Sequence, residues 1–106
     1  MSYRFMRILC FFDLPIETPE DRRNYRVFRR LLIKNGFMML QKSVYCKLMT
    51  TPSVENSVKR FIRENRPPAG VVQLLTVTEK QFSKMEFIVG RYSSDLVDSE
   101  ERLVIL

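Results

Sequence analysis

An α+β domain is predicted by three features of this chain. Residues Arg4 to Phe12 are apolar on both alternating faces, and two later segments open with Thr-Pro and then repeat apolar residues at helical spacing. The runs between and after those segments are short and rich in Val, Leu, Tyr and Thr, as strands are. The chain has 106 residues, 45% of them hydrophobic with eight Phe and six Met, which is one domain's length with enough apolar mass for a core.

The first strand places Met6, Ile8, Cys10 and Phe12 on one face and Phe5, Leu9 and Phe11 on the other, so it is expected to be buried on both sides. Asp13 stands at its end, and Leu14-Pro15 breaks it. Thr18-Pro19-Glu20-Asp21 supplies an N-cap, a proline at the first helical position and two acidic residues in the first turn. The helix is expected from Pro19 to Asn35, with Gly36 as its stop. Tyr25, Phe28, Leu31 and Leu32 share its packing side, while Arg22, Arg26, Arg29 and Arg30 share the opposite arc, flanked by Arg23 and Lys34.

Phe37 to Leu40 and Val44 to Met49 suit a hairpin through Gln41-Lys42-Ser43. Thr51-Pro52 opens a second helix that runs to about Asn65, with Val54, Val58, Phe61 and Ile62 inward, before Pro67-Pro68 ends it. Gly70 to Thr78 is the fourth strand. The order βαββαβ is that of a ferredoxin-like fold, a four-stranded antiparallel sheet with both helices on one face, over residues 1–78. Residues 79–106 form an extension: a turn or short helix from Glu79 to Lys84, a strand at Glu86 to Val89, a polar stretch from Ser93 to Glu101 and an apolar end from Leu103 to Leu106. Apolar strands in excess of the sheet's needs read as interface strands. Because the helices cover one face only, the second apolar face of the first strand calls for a cover, and a homodimer with sheets packed face to face supplies it.

The net charge of +6 is unevenly placed: residues 1–66 hold fourteen basic and six acidic side chains, residues 67–106 four and six. The basic part suits a polyanionic partner such as nucleic acid, and the acidic part suits protein contact. With no histidine, imidazole general bases, Ser/His or Cys/His pairs and His zinc ligands are excluded. Two cysteines, Cys10 and Cys46, make neither a zinc site nor a disulfide framework and read as small core residues of a protein in a reducing cytosol. The longest apolar run, Ile8 to Phe12, is too short to cross a bilayer, so a soluble cytoplasmic protein without a membrane partner is expected.

Asp13 has two readings. An Asp before Leu-Pro can cap a turn; alternatively, in a dimer with facing sheets, it lies near its symmetry mate and the pair shares Mg²⁺ or Mn²⁺, which activates water for phosphodiester hydrolysis. Glu17 and Ser43 are further oxygen donors. The arginine stripe of the first helix likewise either meets successive phosphates or is a solvated face. The aromatic-glycine signature of RNA-recognition motifs is missing from Val44 to Met49, which disfavours that mode of binding.

Phe11-Phe12-Asp13-Leu14, the Arg-Arg-rich segment from Arg22 to Lys34 closed by Gly36, and Gln41-Lys42-Ser43-Val44-Tyr45 together resemble the CRISPR-associated protein 2 family, the small subunit of spacer acquisition. The resemblance spans essentially the whole chain, and the end from Ser93 to Leu106 is similar to the type II version. It implies a ferredoxin-like homodimer that binds double-stranded protospacer DNA at the centre of a complex with the CRISPR integrase subunit. It also implies metal-dependent endonuclease activity on single-stranded RNA or double-stranded DNA, described for some members. On this resemblance Asp13 is the catalytic, metal-binding aspartate, and Arg22, Arg23, Arg26 and Arg30 lie where the family touches nucleic acid. The alternative is a stand-alone metal-dependent endoribonuclease of toxin type.

Overall fold

β1 (Met6–Asp13) is an interior strand of the sheet, and its apolar side chains on both faces need cover on both. The structure, a computed structural model, describes residues 5–91. After β1 come α1 (Pro19–Lys34), β2 (Met38–Gln41), β3 (Val44–Met49), α2 (Pro52–Glu64), β4 (Val71–Thr78) and α3 (Glu79–Ser83). The strands form one four-stranded sheet in the order β2-β3-β1-β4. β1 is antiparallel to both neighbours, with Leu9 opposite Cys46 on one side and Leu75 on the other. This is the expected ferredoxin-like α+β arrangement.

Local sequence explains the element ends. Thr18 caps α1 through a complete capping box: its Oγ1 accepts from the Asp21 amide at 3.0 Å, and the Asp21 carboxylate accepts from the Thr18 amide at 3.2 Å. Gly36 follows the helix with φ 91°, a conformation that favours glycine. Thr51 departs from expectation, since its hydroxyl lies 3.1 Å from the Ser53 hydroxyl and makes no cap bond. β2 spans Met38–Gln41, one residue later than the expected Phe37 to Leu40, and its register against β3 shifts between Met39 and Gln41.

The core lies between the sheet and the two long helices. Ile8, Cys10 and Phe12 of β1, Phe28 and Leu32 of α1, Tyr45 of β3 and Ile62 of α2 are buried there. Phe12 is its hub, with ring centroids 5.3 Å from Phe28, 5.6 Å from Tyr45 and 5.9 Å from Tyr25. The opposite face carries a smaller cluster of Leu9, Leu40 and Cys46, against which Phe82 of α3 packs. The chain's own α3 thus covers part of the face expected to fall wholly to a second copy. The expected strand at Glu86 to Val89 is not formed: these residues belong to no strand, and Ile88 and Val89 are 84% and 90% exposed. A β-rich run becomes a strand only where an edge pairs with it. The expected polar stretch Ser93 to Glu101 and apolar end Leu103 to Leu106 lie outside the described residues.

Candidate functional site

Asp13 is the last residue of β1 and, by strand alternation, points away from α1 and α2. It is exposed and lines a shallow groove of about 290 Å³ with Phe11, Gln41, Lys42, Ser43, Val71 and Gln73. Two contacts assemble the groove. The Phe12 amide donates to the Ser43 carbonyl oxygen at 3.1 Å, drawing the β2–β3 turn beside the end of β1. The pairing of Asp13 with Val71 sets β4 on the other side. Gly70, just before β4, makes this approach possible: with φ 96°, a Cβ there would lie 2.6 Å from the Asp13 carbonyl oxygen and 2.8 Å from Leu14 Cδ2. The turn itself holds Ser43 at φ 71°.

Among the described residues the Asp13 carboxylate has no hydrogen bond or ion pair, so it caps no turn. Of the two further oxygen donors, Ser43 lines the groove and Glu17 does not. Lys42, Gln73 and Gly70 complete the site, and sequence reading missed them as a set because the β1–β4 and β1–β3 registers bring them together.

The basic stripe lies on the helical side of the sheet, so Asp13 and the arginines do not share one groove. Arg23, Arg26 and Arg30 are exposed, and none has a carboxylate partner among the described residues. Arg22 has a structural task as well: its Nη1 donates to the carbonyl oxygens of Ile16 at 3.0 Å and Glu17 at 3.1 Å, fastening the loop before α1. Arg29 is turned toward the phenol of Tyr45, whose pKa is raised by burial and only partly pulled back by that guanidinium.

Asp13 shares its groove with oxygen-bearing side chains, those of Ser43, Gln41 and Gln73, and with the cationic Lys42. Oxygen donors of this kind suit a hard divalent cation, which takes one or two carboxylates and keeps much of its water. Among the described residues no three His, Cys, Asp or Glu side chains gather into a metal cluster. Cys10 is no alternative nucleophile, since burial pushes its thiol up to about 12. Among the described residues no helix is long and apolar enough to cross a membrane.

Fold and site together define a basic ferredoxin-like domain with an exposed aspartate at the end of β1 that has no partner among the described residues. The chain belongs to the family of the CRISPR associated protein Cas2, whose model matches residues 6–85. It is 52% identical over 101 residues to a CRISPR-associated endoribonuclease Cas2 of Treponema denticola, covering 95% of this chain and 100% of the relative. Proteins of the same name from Lacticaseibacillus rhamnosus and Streptococcus mutans are 45% and 43% identical, each across 95% of this chain and 100% and 93% of their own length.

Proposed function

We propose that this chain is a dimeric nucleic-acid-binding protein of CRISPR adaptation, which works with the CRISPR integrase subunit to capture and integrate spacer DNA, and that Asp13 gives it metal-dependent endonuclease activity. The observation that carries the reading is the exposed carboxylate of Asp13, without a partner among the described residues, in a groove at the end of an otherwise largely buried strand. Leu48, Val71 and Leu75, all about half exposed on the same sheet face, support a second copy packed there.

A Mg²⁺ or Mn²⁺ ion held by Asp13 and its counterpart in the second copy would supply a water of lowered pKa and neutralise charge at the phosphodiester. The chain's residues bind and orient. Pairing with Val71 fixes the backbone of Asp13. Lys42 adds a positive charge to the groove, and Ser43 and Gln73 offer donors to phosphate oxygens. With no histidine in the chain, proton transfer falls to water and carboxylate. Arg22, Arg23, Arg26 and Arg30 hold backbone phosphates along α1, and Arg22 also keeps its loop in place.

Purified protein is expected to cut single-stranded RNA or duplex DNA only with a divalent ion, and Asp13→Asn to abolish the cutting; undiminished cutting by that variant would sink the nuclease reading. For the scaffold, spacer acquisition should survive Asp13→Asn and fail when Arg22 and Arg26 are reversed to Glu, and the opposite pattern would reject it. The name shared by the relatives favours a second reading, a stand-alone endoribonuclease, which requires full RNA cleavage without the integrase subunit.

A further inference from the structure

A second groove opens at the same end of the sheet, on the helical side of β4. Ile62, Arg63, Arg66, Pro67, Gly70 and Val72 enclose about 290 Å³. Strand alternation relates it to the Asp13 groove, because Val71 lines one and Val72 the other. Gly70, which packs on the Asp13 carbonyl, lines this second groove. Among the described residues β4 is an edge strand, and its first residues form the wall between the two grooves.

Both arginines are exposed. Arg66 Nη1 donates to the carbonyl oxygen of Arg63 at 2.8 Å, which holds the guanidinium beside the C-terminal end of α2 and leaves its other N–H groups for an acceptor. Among the described residues neither arginine has a carboxylate partner: the ion pairs are Arg7–Glu79 and Lys59–Glu55, and Glu64, between the two arginines in sequence, pairs with neither. Two uncompensated guanidinium groups over a floor of Ile62, Val72 and Pro67 match a phosphodiester and its sugar, the charge meeting phosphate and the floor meeting the less polar ring.

We infer that Arg63 and Arg66 form a second phosphate-binding site, occupied by the nucleic-acid backbone that flanks the phosphodiester lying at Asp13. The inference rests on the Asp13 reading for its location. A cation at a helix C-terminus also stabilises the helix, but that role leaves the salt dependence of binding untouched.

The test is fluorescence anisotropy of the full chain with a single-stranded RNA of about 20 nucleotides and a DNA duplex of about 20 base pairs, across a sodium chloride series. The variant Arg63→Gln/Arg66→Gln is expected to flatten the slope of log affinity against log salt by about 1.4 on RNA or about 1.8 on duplex, the loss of two phosphate contacts. A charge-matched variant at α3 and its C-cap, Lys80→Gln/Lys84→Gln, is expected to keep the wild-type slope. Flattening on one ligand alone supports the site and identifies its source of phosphates. An unchanged slope on both, or equal flattening in the α3 variant, overturns it. Arg63→Gln alone removes no side-chain bond among the described residues and carries the test, at about half the effect, should the double variant fold poorly. If Asp13→Asn still cleaves, the Asp13 reading falls while the slope comparison stands.

Discussion

Arg7 of β1 and Glu79 at the first position of α3, 72 residues apart in sequence, are joined by two parallel bonds, Nε to Oε1 at 2.9 Å and Nη2 to Oε2 at 3.1 Å. The same guanidinium lies 4.3 Å from the centroid of the Phe82 ring and donates through Nη1 to Cys46 Sγ at 3.6 Å. A five-residue helix is far below the length that is stable alone. Its capping box, with Thr78 Oγ1 accepting from the Gln81 amide at 3.0 Å, starts it, and Arg7 holds it on the sheet. Arg7, at the other end of this strand face from Asp13, thereby sets where the chain leaves the sheet: beyond α3, Met85 and Phe87 line an apolar groove with Leu9, Phe11, Leu40 and Val44.

Replacing Arg7 by Lys keeps the charge but loses the planar fork and its stacking on Phe82. Urea unfolding should show a loss of about 1 kcal/mol, a modest figure because the Glu79 side chain is 42% exposed. Amide exchange in α3 should accelerate more than in β1; unchanged protection of α3 would mean that something other than Arg7 holds it.

Gly70→Ala adds a methyl group where only 2.6 Å separates a Cβ from the Asp13 carbonyl, at a φ that side chains avoid. The expected cost is about 1–3 kcal/mol, read from chemical denaturation. Because the strain falls on the backbone of Asp13, divalent-dependent cleavage should drop further than the loss of folded protein explains. Full stability in the variant would show that the loop relaxes freely.

Glu55 ties α2 to β4, accepting from Thr76 Oγ1 at 2.8 Å and pairing with Lys59 at 2.9 Å. The bonds from Lys59 and Thr76 hold its pKa below the ordinary glutamate value. A carboxyl whose folded-state pKa is lowered contributes stability above its unfolded pKa and loses it as pH falls through the folded one. Wild-type stability should therefore decline as pH drops below the ordinary glutamate value, and Glu55→Gln should remove that part of the decline. Identical pH profiles would contradict the assignment.

Along α1, Arg26→Gln/Arg30→Gln should flatten the salt dependence of nucleic-acid binding by about 2 and leave the melting temperature unchanged. Arg22→Gln should lower both, because it also releases the carbonyls of Ile16 and Glu17. Equal melting temperatures for Arg22→Gln and wild type would show that those two bonds add nothing to the fold.

Much of this architecture is legible locally. The N-cap at Thr18, the helix stop at Gly36 and the two-faced burial of Ile8 and Leu9 are short-range consequences of residue type, and all form as expected. The strand expected at Glu86 to Val89 failed for the complementary reason: β-propensity describes a residue's fit to a sheet, while pairing depends on an edge that another part of the chain, or another chain, must offer. Similarly, nothing within Glu79 to Ser83 indicates that Arg7 is its anchor.

By itself the sequence determined the order of elements, the absence of imidazole chemistry and the position of one aspartate at the end of a buried strand, because these depend on composition and on periodicities of a few residues. Tertiary structure alone decided what stands beside that aspartate. The registers of β1 with β3 and β4 bring Ser43 and Val71 to Asp13, let Gly70 pack against its carbonyl, and put the basic stripe of α1 on the other side of the sheet. Such juxtapositions come from pairing between residues far apart in the chain, where a shift of one position would turn every side chain of a strand to the opposite face.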